Sequence, residues 1–214
     1  SQAKTINLGL FYGMGKAKLQ AELGVTKEKS EELFNKYHNK APFVKQLMNK
    51  VMSAAQDKGQ IKTLLGRRCR FPKYEPVLRG KEWGTFVPAE DHERMLELQN
   101  MGPTLLDDEG NIIKDKEGKP KKNYWHENPT RRAFTYKALN RLIQGSAADM
   151  TKKAMIELHK EGITPHIQVH DELDISVMND LEAAKIKDVM ESAVDLEVPN
   201  KVDYESGPNW GEIK

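Results

Sequence analysis

Three features of the 214-residue sequence predict an α+β fold: helical periodicity through residues 1–58, hairpin signatures at 60–71 and 166–177, and two helical stretches in the C-terminal third. In the first fifteen residues Lys4, Leu8 and Tyr12 recur every four, so a helix places them on one stripe, and Gly13 with Gly15 supplies its stop. Lys16–Leu23 forms a second short helix ended by Gly24. Thr26 caps a third over Lys27–Asn39, with Leu33, Phe34 and Tyr37 on one face. Pro42 opens a fourth, in which Phe43, Val44, Leu47, Val51 and Met52 keep the helical period to Lys58. Residues 1–58 are therefore expected to be a helical subdomain.

Gly59 ends that run, and Gln60–Leu65 with Arg68–Phe71 forms a hairpin around Gly66-Arg67. Residues 72–128 carry five prolines and the charged run 107–122, which lacks apolar periodicity; this is the expected variable insertion, the least structured part, with Glu90–Gln99 as a helix and a small hairpin near Gly110. Lys119, Lys121 and Lys122 beside Tyr124 and Trp125 suit a nucleic-acid strand, but a mobile solvated loop is the preferred reading. Thr130 caps a long helix over Arg131–Lys160, bent at Gln144-Gly145, with Arg132, Tyr136, Asn140 and Gln144 along one polar face. His166–Val169 and Leu173–Val177 flank His170-Asp171-Glu172 as a hairpin with an acidic turn. Leu181–Ala193 is a further helix and Val202-Asp203-Tyr204 a last strand, so that residues 59–71 return to a C-terminal part at 129–214.

Composition excludes little. A net charge of +2 from 34 basic and 32 acidic residues means that any nucleic-acid footprint comes from local clustering. Arg67, Arg68 and Arg70 are such a cluster, fit for phosphate contact and equally for a solvated hairpin tip. One cysteine, Cys69, excludes an internal disulfide and fits a reducing compartment. No apolar run reaches the roughly 18 residues of a membrane span, so no membrane association and a cytoplasmic location are expected.

Eight residues of helix span roughly 12 Å, about the length of a nucleoside triphosphate, so a stripe with Lys4 at one end and Tyr12 at the other suits such a ligand. A short amphipathic helix with Leu8 and Tyr12 in a core has the same spacing. The segment Lys4-Thr5-Ile6-Asn7-Leu8-Gly9-Leu10-Phe11-Tyr12-Gly13 also resembles the fingers-domain O helix, motif B, of family A DNA polymerases of the bacterial DNA polymerase I and phage-like type. The resemblance continues in Thr63-Leu64-Leu65-Gly66-Arg67-Arg68, in Gln144-Gly145-Ser146-Ala147-Ala148-Asp149, in Gln168-Val169-His170-Asp171-Glu172, which is similar to motif C, and in Gly207-Pro208-Asn209-Trp210. It implies a mainly helical fingers subdomain and part of an antiparallel-sheet palm, in a right-hand architecture without thumb or motif A.

That resemblance implies further expectations. The chain would add deoxynucleotides to a primer 3′-hydroxyl by two-metal phosphoryl transfer, with primer–template DNA and dNTPs as partners. Asp171 would be a Mg²⁺ ligand and Glu172 a supporting carboxylate; Lys4 would meet the triphosphate, Leu8 the sugar and Tyr12 the template base at the insertion site. Tyr12, Gly13, Arg67, Arg68, Asn140, Gln144 and His170 would touch DNA. No segment resembles motif A, which donates the second metal-binding aspartate, and the motif B arginine would fall one position before Ser1. A divided polymerase completed by an N-terminal fragment with motif A and thumb is thus expected, and Ser1 fits a split-intein junction, where a hydroxyl attacks the upstream ester; a tag remnant fits Ser1 as well. A single-subunit RNA polymerase shares the Lys-to-Tyr-Gly helix, and a catalytically idle DNA-binding or assembly subunit is the reading from another class.

Overall fold

The computed structural model describes residues 2–78 and 86–213, and divides into two compact units, residues 1–62 with 68–141 and residues 63–67 with 142–214. Ser1, on which the intein reading falls, lies outside the described residues. The fold class is α+β: helices predominate, and the strands form small antiparallel pairs. Among the described residues no helix is long and apolar enough to cross a membrane.

The first unit opens with α1 (Gln2–Phe11), α2 (Lys16–Leu23), α3 (Lys27–Lys40) and α4 (Pro42–Lys58). α1 buries Leu10, while Leu8 remains 43% exposed, so the Lys4–Leu8–Tyr12 stripe is not the core face. Thr26 caps α3 by accepting a hydrogen bond from the Lys29 N–H, and the buried Ser30 hydroxyl donates to the Lys16 carbonyl at 2.7 Å, tying α3 to α2. On α4 the buried positions are Val44, Val51 and Ala55; of the others expected on the apolar face, Phe43 points outward, about 100° around the helix from Val44, and Leu47 sits at the edge of the buried stripe, about 60° from Val44. Gly59 ends α4 in the left-handed region at φ 63, and a Cβ there would lie 2.7 Å from Arg132 Cζ, so turn and close approach both require glycine.

β1 (Gln60–Lys62) pairs antiparallel with β2 (Arg68–Arg70). β3 (Tyr74–Pro76) pairs with β4 (Thr130–Arg132). The expected helix from Arg131 is therefore corrected: residues 130–132 are a strand, Phe134 takes φ 62, Thr135–Lys137 is a 3₁₀ turn, and α6 runs Ala138–Lys160. Arg132 thereby leaves the polar stripe.

Residues 86–128 are also more structured than expected. α5 (His92–Asn100), capped by Asp91, joins Ala89 and Trp125 in a core of their own built with Met95 and Leu98. Trp125 is buried in this core and so is not offered to a nucleic acid. Beyond α5 lies a closed ring with an eight-residue period. The Ile113 N–H donates to the Leu105 carbonyl, Lys121 N–H to Ile113, and Leu105 N–H to Lys121. Asp107, Asp115 and Asn123 stand two residues on from each, and each side-chain Oδ1 accepts the N–H two residues later.

In the second unit the C-terminal half of α6 buries Ala154 and Leu158, and α7 (Asp180–Ser192), capped by Asn179, buries Ala183 and Ile186. β5 (Ile167–Val169) pairs with β6 (Glu172–Asp174). Residues 202–204 form no strand: the Val202 N–H is taken by the Glu191 carboxylate at 3.0 Å, so the segment is held by a side chain instead of a ladder.

Candidate functional site

The β5–β6 register pairs Val169 with Glu172, which leaves His170 and Asp171 as a two-residue loop. Alternation of β-branched residues on β5 and a short polar turn produce this tight reversal, and His170 meets its demand with φ 55. The His170 carbonyl accepts the Gln168 side-chain amide at 3.1 Å, bracing the loop from within. Asp171 is thus carried at the tip with its side chain 82% exposed, 3.4 Å from His170 Nδ1, and Glu172 begins β6 beside it, also exposed. A contact this exposed stabilises the loop little. Its carboxylate is available to a ligand.

Hard cations take oxygen donors, and Asp171 and Glu172 are of that chemistry. Among the described residues, however, no group of three or more His, Cys, Asp or Glu side chains could hold a metal ion. The residues fit a contribution to a shared ion and do not make a complete site.

In the other unit, Lys4 and Leu8 lie on the exposed face of α1, and Tyr12 follows on the turn with its N–H bonded to the Leu8 carbonyl at 2.9 Å. The Tyr12 ring meets Phe11 edge-on with centroids 5.6 Å apart, and Gly13 reverses the chain at φ 87. The stripe places one cation, one aliphatic and one aromatic side chain in order along about two helical turns.

Asn140 and Gln144 stand one turn apart on α6 and are both exposed, as is Tyr136 just before the helix. The arginine cluster is divided. All three are exposed, Arg68 and Arg70 on β2, but the Arg67 Nε lies 2.6 Å from Asp149 Oδ1 and its Nη2 donates to the Gly145 carbonyl at 2.8 Å. Thr63 Oγ1 donates to the other Asp149 oxygen at 2.5 Å, and the Leu64 N–H donates to Ser146 Oγ at 2.9 Å. Burial would raise the Asp149 carboxyl, but the Thr63 hydroxyl and the Arg67 guanidinium together hold it below the usual carboxylate range. Gly145 permits the approach: a Cβ there would lie 2.9 Å from Thr63 Cγ2. α6 continues unbroken through this residue, so the glycine serves close packing where a bend was expected.

Asp149 was not among the site residues read from the sequence. Its signal was present, because Gly145 and Asp149 share a helical face four residues apart and a hairpin-tip arginine needs an acidic partner when it is packed.

A model described as DNA polymerase family A matches residues 1–212. The chain is 32% identical over 98% of its length to a DNA-directed DNA polymerase of Pseudomonas phage M6, covering 29% of that protein. It is 31% identical over its full length to DNA polymerase I of Geobacillus stearothermophilus, covering 20% of it. The chain therefore spans a fifth to under a third of the length of these relatives. In fold it is similar to the POL domain of Pol1 from M. smegmatis in complex with DNA primer-template and dNTP, with a TM-score of 0.58 and 24% identity over 92% of this chain and 28% of that one.

Proposed function

Because the chain belongs to DNA polymerase family A, we propose that it forms the fingers and the C-terminal palm of a DNA-directed DNA polymerase, completed by a thumb and a motif A strand from outside these residues. One observation carries this reading: Asp171 is presented almost fully to solvent at the tip of a two-residue hairpin, inside a segment similar to motif C. Bound Mg²⁺ would neutralise triphosphate charge and activate the primer hydroxyl. Asp171 would lend it a carboxylate, with Glu172 in support.

The remaining roles belong to side chains of this chain. Lys4, an exposed ammonium on α1, would pair with the triphosphate as a point charge. Leu8 would lie against the sugar, and Tyr12 with Gly13 would border the template base. Asn140 and Gln144 have amides that can donate to the acceptors of every base pair in a DNA minor groove, and Arg68 has an exposed guanidinium for a phosphate. His170, beside Asp171, would contact the primer terminus.

Asp171→Ala in the completed polymerase tests the assignment. Primer extension should be lost while primer–template binding is kept; unaffected extension would remove Asp171 from the active centre.

A further inference from the structure

Five hydrogen bonds converge on the α6 turn that carries Gln144. Arg67 Nη2 binds the Gly145 carbonyl, Arg67 Nε and Thr63 Oγ1 bind the two oxygens of Asp149, the Leu64 N–H binds Ser146 Oγ, and Ser146 Oγ donates to the Leu142 carbonyl. Asp149 is 7% exposed, and a buried carboxylate is tolerable only while its donors are in place. The Thr63–Arg67 turn and residues 142–149 consequently hold together as one element. Arg67, although half exposed, commits two of its nitrogens to Asp149 and to a main-chain oxygen next to Gln144.

Resting on the minor-groove role proposed for Gln144, we infer that the Thr63–Arg67 turn, clamped by Asp149, is a positioning device that fixes the height and azimuth of the Gln144 amide on the minor groove, and that Arg67 acts through Gln144 instead of on the DNA backbone. A carbonyl has two lone pairs, so Gly145 can keep its helical acceptor role while Arg67 takes the second. Rotation of the helix at Gln144 would break that bond. Lysine at position 67 could keep the charge near Asp149 but has no planar fork with which to reach both acceptors.

The test compares native primer–template duplexes with duplexes carrying 3-deazaguanine, which lacks the N3 minor-groove acceptor, using anisotropy and single-turnover extension by the completed polymerase. The parent enzyme should prefer the native duplex about tenfold, and Gln144→Ala should erase that preference. Arg67→Lys should also bring the ratio close to one, with no added loss in the Arg67→Lys/Gln144→Ala double variant and an unchanged salt slope of affinity. Equal weakening on both duplexes with a shallower salt slope would identify Arg67 as a phosphate contact and overturn the inference, as would a parental ratio in Arg67→Lys. If Gln144→Ala itself keeps the preference, the groove assignment of Gln144 falls and the positioning role with it. Should Arg67→Lys lose its thermal transition, Ser146→Ala, which leaves the Arg67–Asp149 pair intact, decides: a ratio reduced about threefold supports the device and an unchanged one overturns it.

Discussion

Gln56 treats Arg132 as a neighbouring strand would: its side-chain Oε1 accepts the Arg132 N–H at 2.9 Å and its Nε2 donates to the Arg132 carbonyl at 3.0 Å. This exchange, 76 residues apart in sequence, satisfies backbone groups that a helix would otherwise have to pair. The same amide reaches Thr135 Oγ1 at 2.6 Å, just where the 3₁₀ turn begins. Gln56→Leu should destabilise the fold by roughly 1–3 kcal/mol, since both main-chain groups lose their partner. Urea denaturation measures this, and Gln56→Glu, which keeps the acceptor for the N–H, should fall between.

Asp149 makes stability depend on acid. Its carboxyl is held below the ordinary aspartate value near pH 4. A depressed folded value gives stability that is fully present above the unfolded value and lost as pH falls through the folded one. The stability gap between the parent chain and Asp149→Asn should therefore be constant above about pH 4–5 and should narrow below it. Denaturant midpoints between neutral pH and pH 2.5 read this out; a gap that does not change would remove the carboxylate from the network.

Gly145→Ala should cost about 1–3 kcal/mol, because its new methyl meets Thr63 Cγ2 at 2.9 Å and Arg67 Nη2 at 3.3 Å. Thr63→Ser deletes the first of these contacts and keeps the hydroxyl that Asp149 needs. The double variant should recover part of the loss, as a thermodynamic cycle in urea would measure.

Leu8 projects from the exposed face of α1, in line with Lys4. Leu8→Tyr is expected to raise dideoxynucleotide incorporation by the completed polymerase, read as the terminator ratio in primer extension. An unchanged ratio would take Leu8 away from the sugar.

Local patterns carried the sequence reading furthest. Gly24, Thr26, Pro42 and Gly59 punctuate α2 to α4 at their observed ends, because caps and stops are decided within a few residues. The hairpin around His170-Asp171 was equally local. What escaped was long-range. Thr130–Arg132 has a plausible cap and helical neighbours, and only its pairing with Tyr74–Pro76 and Gln56 makes it a strand. The Arg67–Asp149 pair joins residues 82 apart, so the acidic partner of Arg67 is not visible from local spacing. Of the ring over residues 105–123 the sequence shows only a small hairpin near Gly110, because the closing bonds join residues 8 and 16 positions apart.

The β3–β4 ladder has one more implication. It sets Pro76 opposite Thr130, and the Val77 N–H reaches the Pro129 carbonyl at 2.7 Å, so within the first unit the chain's way out to residues 86–128 and its way back lie side by side. Residues 86–128 share an apolar centre around Trp125, on which Tyr74 of β3 also packs. Length can be added or removed at the outer end of such a segment, in the 105–123 ring, while Ala89 and Trp125 must stay to keep Tyr74 of β3 paired and covered.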